Sequence, residues 1–174
     1  MASNTPASAK PQGPFTGGCA CRTIRYSLPS RPIYIHACHC RYCQRETGSA
    51  FALNAMYEAG LVNVTTPAQP ELVPTSTESG TPQTIARCPH CRVAVWSNYG
   101  KHGGDHIRII RVGTLDEPDV AGFEPEMHIY TSTKQPWVVL TGEVPFVDEF
   151  YDLPDYWPQD RLERLNRALE ASLN

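Results

Sequence analysis

The chain has 174 residues, with 15 lysines and arginines against 18 aspartates and glutamates, for a formal net charge of −3. This length suits one domain that buries roughly 70% of its unfolded surface, so the chain does not need metal merely for being small. There is no basic stripe for nucleic acid, no apolar run long enough for a membrane span and no secretory hydrophobic segment.

Residues 1–14 hold Ser, Pro, Ala and Gly with the single charge of Lys10, a composition expected to stay disordered. Residues 15–174 are expected to form the one domain. Sixteen prolines and twelve glycines cut the chain into short pieces. Candidate strands cover 23–28, 33–37, 51–57, 61–64, 83–87, 93–99, 107–112, 127–131 and 138–141, each rich in β-branched and aromatic residues. Such a series predicts a mainly β fold of small sheets. The polar, proline-rich segment 67–82 reads as a surface loop. Near the end, Pro158 suits a first helical turn, and Leu162, Leu165, Leu169 and Leu173 follow at helical spacing. Arg161, Glu163, Arg164 and Arg167 would cover the wet face of this C-terminal helix.

Seven cysteines fall into three clusters: Cys19-Ala-Cys21, Cys38-His-Cys40-Arg-Tyr-Cys43 and Cys88-Pro-His-Cys91. These spacings are too tight for a disulfide framework and right for thiolates converging on metal. Thiolates persist in a reducing compartment, so a cytoplasmic location is expected. A closed tetrahedral zinc takes four ligands and leaves three, and three protein ligands with an open position is the usual pattern of a catalytic zinc. Cys88 and Cys91 form a knuckle. Cys19 and Cys21 would face one side of a strand, with Gly17 and Gly18 permitting the bend. Together these four make a tetrathiolate site, and Cys38, Cys40 and Cys43 remain for a second ion. Spacing alone does not fix the pairing. Cys38 and Cys40 can in principle complete a site with Cys88 and Cys91, and His36 or His39 can fill a fourth place and make both ions structural. The spacings do not match those of ferredoxin clusters.

Other residues near the clusters can carry chemistry. His39 lies inside the three-cysteine run as a proton relay or fourth ligand, or points away between two ligand positions. Arg45 and Glu46 follow that run; Arg45 can grip a substrate carboxylate or form a surface ion pair. Glu124 and Glu126 precede His128 and are weaker acid–base candidates. His102 and His106 flank Gly103-Gly104, which argues against a helix that would align them; this segment and 67–82 can shape a pocket.

Gly17-Gly18-Cys19-Ala-Cys21, the run from Cys38 through Cys43 to Gly48 and Phe51, Cys88-x-x-Cys91, and the stretch from His128 through Lys134 and Pro136 to Trp137 occur in order. In these motifs the chain resembles the glutathione-dependent formaldehyde-activating enzyme and centromere protein V family. The resemblance covers residues 15–146. It implies a β-tent of small antiparallel sheets with zinc knuckles, and two zinc ions per chain. Cys19, Cys21, Cys88 and Cys91 would hold the structural ion, and Cys38, Cys40 and Cys43 the catalytic one. It implies addition of glutathione to formaldehyde, with the enzyme classed as a carbon–sulfur lyase by the reverse reaction. The family usually has glycine after the second cysteine and after the knuckle, where this chain has Arg22 and Arg92, and Pro89 replaces a further glycine.

The expected function is therefore that of a zinc-dependent enzyme acting on a thiol and a small aldehyde, with Cys38, Cys40, Cys43, His39, Arg45 and Glu46 as catalytic candidates. One alternative is a zinc Lewis-acid lyase, dehydratase or isomerase for another small molecule. Another is a non-catalytic zinc module that binds a protein partner. Nothing in the sequence specifies an oligomeric state.

Overall fold

The computed structural model describes residues 12–116 and 122–171. In chain order it holds β1 (Phe15–Gly18), β2 (Arg25–Leu28), β3 (Tyr34–Cys38), helix α1 (Arg41–Thr47), β4 (Ala52–Glu58) and β5 (Asn63–Val64). There follow β6 (Glu71–Thr75), β7 (Gln83–Arg87), β8 (Ala94–Tyr99), β9 (Ile107–Arg111), β10 (Met127–Ile129) and helix α2 (Gln159–Glu170). Residues 1–11 of the expected tail, and Leu173, lie outside the described residues.

The fold is mainly β with a C-terminal helix. Strands β1, β2 and β5 make a three-stranded antiparallel sheet. The other seven strands form one sheet in the order β10-β3-β4-β9-β8-β7-β6, in which β10 runs parallel to β3 and all other neighbours are antiparallel. Alternation along the strands gives this sheet two faces of different character. The row Ile35, Ala55, Ile110 and Trp96 packs with Phe15, Tyr26 and Leu28 of the small sheet. The adjacent row, His36, Asn54 and Arg111, points to the opposite face and is polar.

Helix α2 closes part of that second face. Leu165 and Trp157 pack with Ile33, Tyr34 and Met127, and Tyr34 stacks on Trp157 with ring centroids 4.6 Å apart. Arg161 and Arg164, expected on the wet side, reach the sheet instead. Arg161 pairs with Glu126 at 3.2 Å and Arg164 with Glu58 at 2.5 Å. Long side chains at the helix border lay their stems on apolar surface and carry the charge to a buried edge.

Four elements differ from expectation, the first being strand β1, which is not among the candidate strands. Segment 67–82 contains β6, which pairs only with β7; Pro74 is tolerated there because an edge strand has a free side that needs no N–H. Helix α1, absent from the expected elements, is too short to show a helical period. Segment 138–141 is not a strand: Lys134 Nζ donates to the Val138 carbonyl at 2.7 Å, and Val139 is exposed. No described helix is long and apolar enough to cross a membrane.

Candidate metal centres

Two groups of sulfurs converge. Cys19, Cys21, Cys88 and Cys91 form one and Cys38, Cys40 and Cys43 the other; within each group all sulfurs lie within 4.8 Å of one another. No described histidine or carboxylate joins either group. The alternative pairing of Cys38 and Cys40 with the Cys88 knuckle is therefore not the one the fold makes.

The four-cysteine group joins the β1–β2 hairpin to the β7–β8 hairpin by two similar turns. Arg22 N donates to the Cys19 carbonyl and Arg92 N to the Cys88 carbonyl, each at 3.0 Å. Cys19 N donates to the Ile24 carbonyl at 3.0 Å and Cys88 N to the Val93 carbonyl at 2.9 Å. Cys19 and Cys21 thus converge through a turn, not through the pleat of a strand. Gly17 and Gly18 serve close packing: a Cβ on either would overlap the Tyr26 hydroxyl or the Ile24 carbonyl. Each turn ends on an arginine in the left-handed region, Arg22 at φ 64° and Arg92 at φ 63°.

All seven cysteines are free thiols. The Cys19–Cys21 and Cys21–Cys88 sulfur separations are 3.5 and 3.6 Å. A tetrahedral zinc tetrathiolate, with bonds of about 2.3 Å, requires sulfurs about 3.8 Å apart. The donor chemistry and spacing of this group therefore fit zinc. Burial pushes the Cys19 thiol up to about 11, so without a cation this sulfur favours the protonated form.

The three-cysteine group sits where β3 passes into α1. Cys38 ends the strand, Cys40 caps the helix by accepting from Cys43 N at 3.3 Å, and Cys43 lies in the first turn. Hydrogen bonds from Cys38 and then Cys43 hold the Cys40 thiol well below its ordinary range. Gln44 locks the segment: buried, it donates to the His39 carbonyl at 2.6 Å and the Thr133 carbonyl at 2.9 Å.

All three sulfurs line a cavity of about 200 Å³ on the second face of the large sheet. Met56, Ile109, Ile129 and Phe150 make one wall apolar; Asn54, Ser97 and Arg111 make another polar. Thr77, Glu78 and Ser79 of the 67–82 segment stand at its edge, and His102 lines it, as expected of segments that shape a pocket. His36 also faces this space, and its Nε2 lies 2.7 Å from the Tyr151 hydroxyl.

The remaining sequence candidates fall elsewhere. His39 points to the other side of its strand, where it is fully buried, 3.0 Å from His128 Nδ1 and packed on Phe51. It is away from the cavity, yet not in solvent. Arg45 forms an exposed ion pair with Glu78 at 3.3 Å, and Arg87 holds both oxygens of Glu46 at 2.7 and 2.8 Å. Neither Arg45 nor Glu46 lines the cavity. Glu126 binds Ile35 N and Arg161, and Glu124 accepts from Gly122 N at 3.2 Å. Trp137 is 71% exposed and packs in no core. The sequence reading missed Tyr42, Asn54, Arg111 and Tyr130, which do line the cavity. The available signal was a charge inside the apolar run Ile107-Arg-Ile-Ile-Arg111.

The sequence pattern of the glutathione-dependent formaldehyde-activating enzymes matches residues 14–133. The chain belongs to that family. All seven cysteines of this formaldehyde-activating-enzyme relative, together with His102 and Arg111, fall within the matched span, whereas Phe150 and α2 lie beyond it. Comparison with curated proteins gives no match. A crystal structure of a Rhodobacter sphaeroides protein, a structural-genomics target, is similar at 16% identity and a TM-score of 0.44, over 76% of this chain and 99% of its own. Arg22 and Arg92, where the motif resemblance expects glycine, stand in the left-handed conformation that glycine adopts freely.

Proposed function

We propose that this family member is a zinc-dependent enzyme of the carbon–sulfur lyase type, acting on a thiol and a small aldehyde or on their adduct. The observation that supports this is the unequal pair of sulfur groups: one complete with four, the other with three sulfurs opening onto a cavity. Cys19, Cys21, Cys88 and Cys91 would hold a structural ion, and Cys38, Cys40 and Cys43 the second. When bound there, zinc supplies an open position that favours thiolate over thiol and polarises a carbonyl oxygen. A reducing, cytoplasmic setting keeps the seven thiols available.

The reaction adds the thiol sulfur to the aldehyde carbon and delivers the thiol proton to the aldehyde oxygen; the reverse breaks the carbon–sulfur bond. The chain's part is to hold both molecules together and exclude water. Met56, Ile109, Ile129 and Phe150 supply the dry wall. Tyr130 lines the cavity, and burial pushes its phenol up to about 12, so it stays protonated and can donate to an oxygen on which charge develops. Burial pushes His36 down to about 3 and His102 to about 4; both are neutral hydrogen-bonding groups rather than charged ones.

The test is the rate of S-hydroxymethylglutathione formation from glutathione and formaldehyde by exchange NMR, set against the uncatalysed rate. A rate above that control, absent in Cys40→Ala, supports the reading. A rate equal to the control would reject these two substrates.

A further inference from the structure

One wall of the cavity carries a charge that no carboxylate among the described residues answers. Arg111 lies on β9, near the middle of the large sheet, and is 9% exposed. A cation this deep is ordinarily paired with a carboxylate. Among the described residues no carboxylate lies within ion-pair distance of it. Its Nη1 donates to Asn54 Oδ1, directly across the β4–β9 ladder, and its Nε is buried with no partner. Tyr42, between Cys40 and Cys43 in the chain, has a buried hydroxyl that also lacks a partner. Arg111, Asn54, Tyr42 and the three sulfurs line one cavity.

Unanswered buried donors are costly unless something else answers them. Arg111 also borders a second depression that holds Glu46, but Arg87 already takes both oxygens of that carboxylate. Asn54, which grips the guanidinium, faces the cysteine cavity alone. The fork of an arginine suits a carboxylate, and a phenol hydroxyl can add a further bond.

We infer that Arg111, assisted by Tyr42, anchors the carboxylate of a substrate whose thiol or aldehyde end meets Cys38, Cys40 and Cys43. This rests on the proposed function of the three-cysteine centre and narrows its substrate class to short acids. A cavity of about 200 Å³ supports that size, since one of about 150 Å³ already holds benzene. Whole glutathione exceeds it, so a tripeptide would leave one end outside. Arg45, the sequence candidate for gripping a carboxylate, is spent on Glu78 at the surface.

A guanidinium that only balanced the charge of the sulfurs would leave the preference for an acid unmoved in Tyr42→Phe, which separates the two roles. The test is titration calorimetry of the zinc-loaded protein with 3-mercaptopropionate, 3-mercaptopropan-1-ol and butyrate. The thiol alcohol reports on the open centre, and butyrate on Arg111 to the extent that its binding is lost in Arg111→Gln, since a carboxylate can also ligate zinc. The mercapto acid should bind at least about tenfold more tightly than the alcohol, and butyrate should bind measurably. Arg111→Gln should abolish both effects while zinc content and affinity for the alcohol stay unchanged. Tyr42→Phe, which removes one hydroxyl and little packing, should reduce the preference severalfold. If the alcohol fails to bind while butyrate binds and is lost in Arg111→Gln, the open-centre reading falls and the anchor stands. Equal affinities for acid and alcohol in the native protein, or a preference that survives Arg111→Gln, would overturn the anchor. Should Arg111→Gln not fold, the native comparison and Tyr42→Phe decide the matter.

Discussion

The backbone N–H of Cys43 donates to the sulfur of Cys40 at 3.3 Å, so one sulfur both faces the cavity and caps the helix that carries its neighbour. The two roles separate by substitution. Cys40→Ala removes ligand and cap together; Cys40→Ser keeps an N-cap acceptor. Both variants should lose one metal ion per chain and all turnover. Cys40→Ala should also lose up to about 1 kcal/mol of stability that Cys40→Ser retains. Metal analysis and urea unfolding check this, and full turnover in Cys40→Ala would remove the centre from catalysis.

Arg22 and Arg92 pay for left-handed backbone at the two turns around the four-cysteine group. A non-glycine residue there costs roughly 1–2 kcal/mol, and glycine's greater unfolded freedom returns about half of that gain. Arg22→Gly and Arg92→Gly should therefore each raise stability by about 0.5–1 kcal/mol with zinc bound. The Arg92–Glu71 ion pair lost in the second is exposed and worth little. A lowered midpoint in urea for both variants would show that the arginine side chains hold the turns.

Glu126 ties α2 to the sheet. Its Oε2 accepts from Ile35 N at 3.0 Å, and its Oε1 accepts from Arg161 at 3.2 Å. Glu126→Ala strands a strand N–H and should cost about 2 kcal/mol. Glu126→Gln keeps the backbone bond and should cost about 1 kcal/mol or less. Hydrogen exchange should quicken in α2 and β3 for the alanine variant. Unchanged exchange in both elements would mean that α2 docks by its apolar face alone.

His36 is 4% exposed and hydrogen-bonded to Tyr151. Trp157 Nε1 donates to the same Tyr151 oxygen at 2.7 Å. Burial pushes His36 down to about 3 and His39 to about 4. An unfolded histidine titrates near 6.5, so below that pH the unfolded chain takes up protons that the folded one refuses. Stability from these groups is full above pH about 6.5 and is lost as pH falls toward 4. Denaturation across this range should be steeper for the native protein than for His36→Phe, by up to about 1.4 kcal/mol per pH unit. Metal loss in acid affects both proteins and cancels in the difference. Parallel profiles would mean that His36 is not buried as a neutral ring.

The legible parts of this molecule are those whose physics is local. Cysteine spacing sits in the cysteine runs themselves, and the leucine period of α2 lies on adjacent turns. What stayed hidden depends on neighbours. Pro74 argues against a strand until β7 shows that β6 is an edge. Seven residues are too few for α1 to reveal a period. Arg108 and Arg111 look alike in sequence, but their odd separation sends Arg108 over Trp96 and Arg111 into the cavity. His39, Arg45 and Glu46 drew attention by lying next to the cysteines, whereas the cavity is built across strands by residues distant in sequence.

The central claim is that the three-cysteine centre is a metal site with one place open to the cavity. Anomalous scattering at the zinc edge, from crystals of the native protein, tests it most directly. The account predicts two ions per chain, one held by Cys19, Cys21, Cys88 and Cys91, the other by Cys38, Cys40 and Cys43 with a fourth, non-protein ligand on the cavity side. An empty three-cysteine group, or a protein side chain filling its fourth place, would contradict it.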